Sequence, residues 1–243
     1  MTVRERADRL LVARGLFESR ARAQAAIAAG LVTADGVPVR KASEEISSAA
    51  VIAAGPEHPF VSRGGVKLAA ALDHFHLDVT GRICLDVGAS TGGFSEVLIL
   101  RGARRVYAID VGRDQLHPRL RGRGDIVSME ETDIRSFDPA RLAEQPDFAT
   151  VDVSFISLKL VAPAVGKILK TRATLLALIK PQFEAGRRDV KKGVVRDPAI
   201  HTAVCNDIGA FLTGLGWRVG GAAPSAITGG DGNQEFFIEA HRG

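Results

Sequence analysis

From residue 82 onward the chain repeats one pattern of apolar and polar positions. The runs "RICLDVGA", "RRVYAID", "GDIVSMEETD", "DFATVDVS" and "TLLALIK" are short and nearly continuous in apolar character. Such runs mark strands buried on both faces. The stretches "GGFSEVLILRG", "SLKLVAPAVGKIL" and "DPAIHTAVCNDIGAFLTGLG" supply helices between and after them. This alternation predicts an α/β domain on a mostly parallel sheet. The end of the chain differs. "WRVGGAAPSAI" and "NQEFFIEAHR" have no helix between them and predict an antiparallel hairpin at the sheet edge.

The first 58 residues follow another pattern. "RADRLLVARGL" and "SRARAQAAIAAG" predict two short helices, with Ser19 as an N-cap and Gly15 and Gly30 as stops. Asp35-Gly36, inside "LVTADGVPVRK", is a two-residue hairpin signal, and "AAVIAA" supplies a further strand. The Pro/Gly-bearing "GPEHPF" then reads as a linker. The expected division is a small α+β domain over 1–58 and an α/β domain over 59–243.

Composition narrows the function. The chain has 243 residues, 46% hydrophobic, with a net charge of +4. A mild basic excess is compatible with a nucleic-acid partner. Two cysteines, Cys84 and Cys205, are too few for a disulfide framework or a zinc site. Both are expected to be small buried thiols in a reducing cytosol. "MTVRERADRL" lacks an apolar signal core, and no apolar stretch reaches membrane-spanning length. A soluble, cytoplasmic protein is expected.

The candidate chemistry begins at "LDVGASTGGF". Strand, glycine-rich turn and helix in that order place backbone N–H groups at the carboxyl edge, where open sheets bind ligands. The turn matches neither the dinucleotide fingerprint nor a phosphate loop. Asp86, Gly88, Ala89, Ser90, Thr91, Gly92, Gly93 and Phe94 are the candidate cofactor residues of this segment. Asp110 ends the next strand, where an acid can accept from ribose hydroxyls, and Asp133 falls near the expected adenine. An acidic Asp86 beside the turn repels a pyrophosphate but suits a cationic sulfonium and ammonium. The ligand expected on these grounds is S-adenosyl-L-methionine.

"LLALIKPQFEAG" ends a buried strand on Lys180. An ammonium there is costly without partners or a task. Asp152 ends the neighbouring strand, beside the cofactor turn. Lys67 lies on the segment entering the first helix of the domain, and Glu235 on the last hairpin. Two lysines and two carboxylates can converge on one spot, with Asp152 serving the cofactor site as well.

The motifs "SRGGVKL", "LDVGASTGGF", "DVSFISL", "IKPQFEAG", "GVVRDP" and "GGDGNQEF" run through the catalytic part in order. With the N-terminal unit, the whole chain resembles the TlyA (hemolysin A) family of ribosomal RNA 2′-O-methyltransferases. The resemblance implies an FtsJ-like, Rossmann-like domain with a mostly parallel seven-stranded sheet and S-adenosyl-L-methionine as cofactor. It implies a catalytic tetrad of Lys67, Asp152, Lys180 and Glu235, with Lys180 activating the hydroxyl, no metal, and a cytidine of ribosomal RNA or a ribosomal subunit as target. The N-terminal unit resembles the alpha-L, ribosomal-protein-S-four-like fold. That likeness implicates Arg20, Arg22, Arg40 and Lys41 in RNA binding, and Arg4, Arg6 and Arg63 join them as basic candidates. The unit is barely basic, with eight Lys/Arg against seven Asp/Glu in residues 1–58. Two other readings remain: a membrane-active hemolysin-like protein, and a non-catalytic RNA-binding assembly factor.

Overall fold

A computed structural model describes residues 3–55, 58–186 and 188–243. The chain divides into two compact units, Met1–Pro59 and Phe60–Gly243. Two residues of the expected linker, Pro56 and Glu57, lie outside the described residues.

The first unit holds β1 (Arg4–Arg6), α1 (Ala7–Ala13), α2 (Arg20–Ala28), β2 (Val32–Ala34), β3 (Val37–Pro38), β4 (Glu45–Ser47) and β5 (Ile52–Ala54). Ser19 caps α2, its hydroxyl accepting from the Arg22 amide at 3.3 Å. Asp35 and Gly36 both take positive φ, 51° and 79°, and close the β2–β3 hairpin. The pairing of β1 with β4 has no counterpart in the sequence reading, because three charged residues, Arg-Glu-Arg, carry no strand signal. Leu10 and Leu11 of α1 pack against Ala23, Ala26 and Ile27 of α2 in one small core.

The second unit contains α3 (Arg63–His74), β6 (Ile83–Val87), α4 (Gly93–Leu100), β7 (Arg105–Ile109), β8 (Ile126–Met129), β9 (Phe148–Val151) and α5 (Leu158–Ile168). It continues with β10 (Ala173–Ile179), α6 (Pro181–Glu184), α7 (Pro198–Gly214), β11 (Arg218–Pro224) and β12 (Phe236–Arg242). Its seven strands run in the order β11-β12-β10-β9-β6-β7-β8. β6 to β10 are mutually parallel, and β12 is antiparallel to both neighbours. The expected edge hairpin is therefore present, with β11 outermost.

Strand alternation sorts the core into two layers. Leu175, Ala177 and Ile179 of β10 face α5 and α7, with Leu85, Val151 and Ile238. Leu176 and Leu178 face α3 and α4, with Cys84, Phe148 and Phe237. Cys84 is fully buried, whereas Cys205 is only half-buried, since it sits on a partly exposed side of α7. The neighbours of β6, the first parallel strand, are β7 on one side and β9 on the other. Connections from that strand region leave in opposite directions, which opens a crevice at the carboxyl ends.

Candidate active site

The alternation carries one residue past each strand end. Asp152 continues the face of Phe148, Lys180 that of Leu178, and Glu235 that of Phe237. All three therefore point to the layer of α3 and α4. Lys67 reaches the same layer from inside α3, beside buried Leu68, rather than from the segment before it. The last paired residues of β10 and β12 are Ile179 and Phe236, so Lys180 and Glu235 are the next across from each other.

Two ion pairs result. Lys180 Nζ lies 2.6 Å from Asp152 Oδ1 and donates to Ser154 Oγ at 2.8 Å. Lys67 Nζ lies 2.5 Å from Glu235 Oε2. Both lysine side chains are 11% exposed, and Glu235 is 3% exposed. The loop before β12 closes tightly over Glu235: a Cβ on Gly229 would stand 2.6 Å from Oε1. The four expected residues thus gather at one edge of the sheet as two pairs.

Beside Asp152 opens a cleft of about 870 Å3. Its walls come from the segments following β6, β7, β8 and β9, as the topology requires. Of the expected cofactor residues, Gly88, Ser90, Asp110, Asp133 and Asp152 line it. Gly88 has φ 80°, and a Cβ there would stand 2.2 Å from the Asp152 carbonyl oxygen. Only glycine lets the turn pass that backbone. The Asp110 carboxylate is held by the amides of Ser90 and Gly112, each at 2.7 Å. Asp133 is clamped by Arg135 at 2.6 Å, which holds its carboxyl below the usual range.

The remaining expected cofactor residues do not line the cleft, and Asp86 is the main correction. It is fully buried, with one oxygen accepting from Ser95 Oγ at 2.6 Å and the other from Thr150 Oγ1 at 2.9 Å. Burial pushes its carboxyl up to about 6, the two hydroxyls opposing the rise and the charge of Asp152 adding to it. Asp86 therefore anchors α4 and β9 under the turn, away from the cleft lining. Ala89 and Gly92 pack toward Leu116 and Leu120, and the Thr91 carbonyl accepts from the His117 amide. Gly93 abuts Ser62, and Phe94 stacks on Phe237 at 6.0 Å. Beyond Ser90 the turn has already descended into the core.

The basic candidates also separate. Arg6 and Arg20 both bind the fully buried Asp8, at 3.1 and 2.8 Å, and Gln24 donates to it as well. These bonds hold the Asp8 carboxyl well below the usual range. Arg6 and Arg20 thus neutralise a buried charge, while their side chains stay 41% and 50% exposed. Arg22 sits 3.6 Å from Glu18, and Arg4 donates to the Glu45 carbonyl. Arg40 and Lys41 are exposed. Arg63 belongs to the second unit, where it donates to the Thr228 carbonyl at 2.9 Å.

Sequence reasoning missed Phe155. Its ring is 91% exposed at the cleft, its φ is 64°, and it lies 5.1 Å from the Phe183 ring. A large exposed aromatic in left-handed backbone is a strained arrangement of the kind found at working sites. Nothing in the letters "SFIS" signals that φ. Glu184 was missed too: it accepts from Ser157 Oγ and the Leu158 amide, fixing the cleft wall to the segment after Lys180.

With this geometry in place, comparison with known proteins decides the family. The FtsJ-like methyltransferase family matches residues 60–242, and the S4 domain matches residues 5–52. The chain belongs to the FtsJ-like methyltransferase family. It is 41% identical, over 98% of its length and 90% of the relative, to the 16S/23S rRNA (cytidine-2′-O)-methyltransferase TlyA of Mycobacterium tuberculosis. It is 37% identical to Hemolysin A of Brachyspira hyodysenteriae, over 96% of this chain and 98% of that one. A solved structure from Streptococcus thermophilus that carries a hemolysin name is 42% identical, with a TM-score of 0.78. It is covered to 90%, and this chain to 100%. Among the described residues no helix is long and apolar enough to cross a membrane.

The cofactor of an FtsJ-like methyltransferase is S-adenosyl-L-methionine, and the cleft fits it. Ile109, Val111, Ile134 and Leu160 supply apolar walls for a purine, and Asp110 supplies a fixed carboxylate with lone pairs to spare for ribose hydroxyls.

Proposed function

We propose that this methyltransferase modifies the 2′-hydroxyl of a cytidine ribose in ribosomal RNA, in the cytoplasm. The observation that supports the proposal is the Lys180–Asp152 pair, whose carboxylate lines the cofactor cleft, with the Lys67–Glu235 pair at the same carboxyl edge of the sheet. When bound, S-adenosyl-L-methionine supplies an electrophilic methyl group. A ribose hydroxyl is a poor nucleophile until its proton is polarised or removed. Lys180 is the group that meets that proton, and its contacts with Asp152 and Ser154 aim Nζ. Lys67, held by Glu235, keeps a second positive charge in the same layer. Asp110 orients the ribose of the cofactor, and Arg135 keeps Asp133 in place beside it. Holding the two reactants in line contributes a large part of the rate.

Phe155 offers a bare aromatic face on which an unstacked base can lie, as enzymes acting on single nucleotides require. Residues 1–58 dock RNA, through exposed Arg4, Arg40 and Lys41 and half-buried Arg22. Residues 59–243 carry the chemistry.

The test is methyl transfer from labelled cofactor to separated ribosomal subunits and to naked ribosomal RNA, followed by mapping of the modified nucleotide. A single cytidine made resistant to alkaline cleavage on its 3′ side is the expected result. Label on a base, or on protein only, overturns the proposal.

A further inference from the structure

Between α6 and α7 the chain forms a small basic hairpin that none of the roles above uses. Lys191 and Val194 exchange two backbone hydrogen bonds, both 3.1 Å. The two residues at the tip, Lys192 and Gly193, have φ 52° and 79°. Two positive φ values in a two-residue turn favour Asn or Asp followed by Gly. A lysine at the first position is strained, and an observed outlier of this kind motivates a functional explanation. Lys191, Lys192 and Arg196 are exposed. Among the described residues none of the three has a carboxylate partner, whereas Arg101, Arg119 and Arg123 each have one.

The hairpin is also held firmly. Asn233, 1% exposed, accepts from the Val195 amide at 3.0 Å and donates to the Gly193 carbonyl at 2.9 Å. His201 Nε2 lies 3.0 Å from the Val195 carbonyl oxygen. Asn233 stands two residues before Glu235, so one loop anchors both the basic tip and the carboxylate of the Lys67 pair. Lysines that only keep a loop soluble need neither strain nor a buried asparagine behind them.

We infer that the 188–196 segment is a second RNA-docking surface, with Lys191 and Lys192 gripping backbone phosphates of the strand that carries the target ribose. The inference rests on the proposed RNA substrate and deepens it. Phosphate contacts set position and register without reading sequence. A rigid cationic tip tied to the Glu235 loop does this close to the chemistry.

The experiment uses the full chain and two readouts on the same samples: anisotropy of labelled ribosomal RNA, and methyl transfer. Lys191→Glu with Lys192→Glu is compared with Lys167→Glu with Arg172→Glu, the same charge change at the opposite, amino edge of the sheet. Two lost phosphate contacts lower the slope of log affinity against log salt by about 1.5, and affinity falls roughly tenfold or more at about 100 mM salt. The amino-edge variant keeps the wild-type slope. Lys192→Gly sharpens the result: relief of the strain raises the melting temperature while RNA affinity drops. Equal slopes for the two double variants, or unchanged affinity in Lys192→Gly, overturn the inference. RNA binding that depends on these lysines without any methylation of RNA supports the docking surface and overturns the proposed reaction instead.

Discussion

Both edges of the seven-stranded sheet end in ion pairs between a basic side chain and a partly or fully buried carboxylate, yet they do opposite things. At the amino edge Arg82 is consumed by the fold. It binds the Asp147 carboxylate at 3.0 Å and Thr174 Oγ1 at 3.3 Å, and it also donates to the Asp147 carbonyl. Its guanidinium lies 5.1 Å from the Phe148 ring centre. Lys170 closes on the other Asp147 oxygen, and Thr174 continues to His241. That network straps β6, β9, β10 and β12 together. At the carboxyl edge Lys180 has one carboxylate and one hydroxyl for three donor positions, and Lys67 has one carboxylate. Asp152 borders the cleft. An ion pair is a strap when backbone and neighbours use up its bonding capacity. It is available for chemistry when capacity remains next to a cavity.

The comparison makes predictions that separate the edges. Lys180→Ala removes the group that meets the hydroxyl proton, and should slow single-turnover methyl transfer by ~10²–10⁴. That loss equals about 3–5 kcal/mol of transition-state free energy. Calorimetric cofactor affinity and the melting curve should stay near wild type. Arg82→Ala should do the reverse, costing ~1.5–3 kcal/mol of unfolding free energy by removing its bonds to Asp147 and Thr174, with Lys170 left on the other Asp147 oxygen. The folded fraction should keep its cofactor affinity, as urea titration and calorimetry together will show. A catalytic loss in folded Arg82→Ala enzyme would erase the distinction.

Asp86 lies between the edges and adds a pH signature. Its unfolded carboxyl ionises near 3.8 and its folded one near 6. The folded state therefore holds this proton more tightly. Stability contributed in this way is present below about 4, declines as pH rises to about 6, and stays lost above that, by at most ~3 kcal/mol. Asp86→Asn should flatten that part of the stability–pH curve, because neighbouring hydroxyls can turn to face an amide. An unchanged slope between pH 4 and 6 would remove Asp86 as its source. The smallest effect is expected for Asp110→Ala, which should weaken cofactor binding by ~1.5–3 kcal/mol, roughly ten- to a hundredfold. Unchanged affinity would displace the ribose from Asp110.

The apolar runs carried most of the catalytic fold, because a parallel sheet covered on both faces leaves an alternation that survives in the letters. They also placed Asp152 and Lys180 at strand ends and Glu235 on the last hairpin. The pairing of Lys67 with Glu235 was not legible, since 168 positions separate them and no local pattern joins them. Asp86 was misread because an acid at the end of an apolar strand looks the same whether it faces a ligand or Ser95 of α4. The bond of Arg20 to buried Asp8 was not legible, because a family likeness does not show which carboxylate an arginine meets. The practical consequence is that Arg20→Glu would place a like charge against Asp8 and damage the N-terminal core. Arg40 and Lys41 are the cleaner sites for testing RNA contact.

The most direct test of the central claim is Lys180→Arg. Arginine keeps the charge beside Asp152, but it cannot give up its proton under working conditions, and its planar fork does not match an ammonium site. Methyl transfer should be measured in single turnovers, with cofactor affinity and melting temperature determined on the same preparation. A catalytic Lys180 predicts a folded, cofactor-binding enzyme that is at least ~10²-fold slower. A variant within about tenfold of wild type, the lower bound just stated not being met, would make Lys180 a strap like Arg82 and contradict the account.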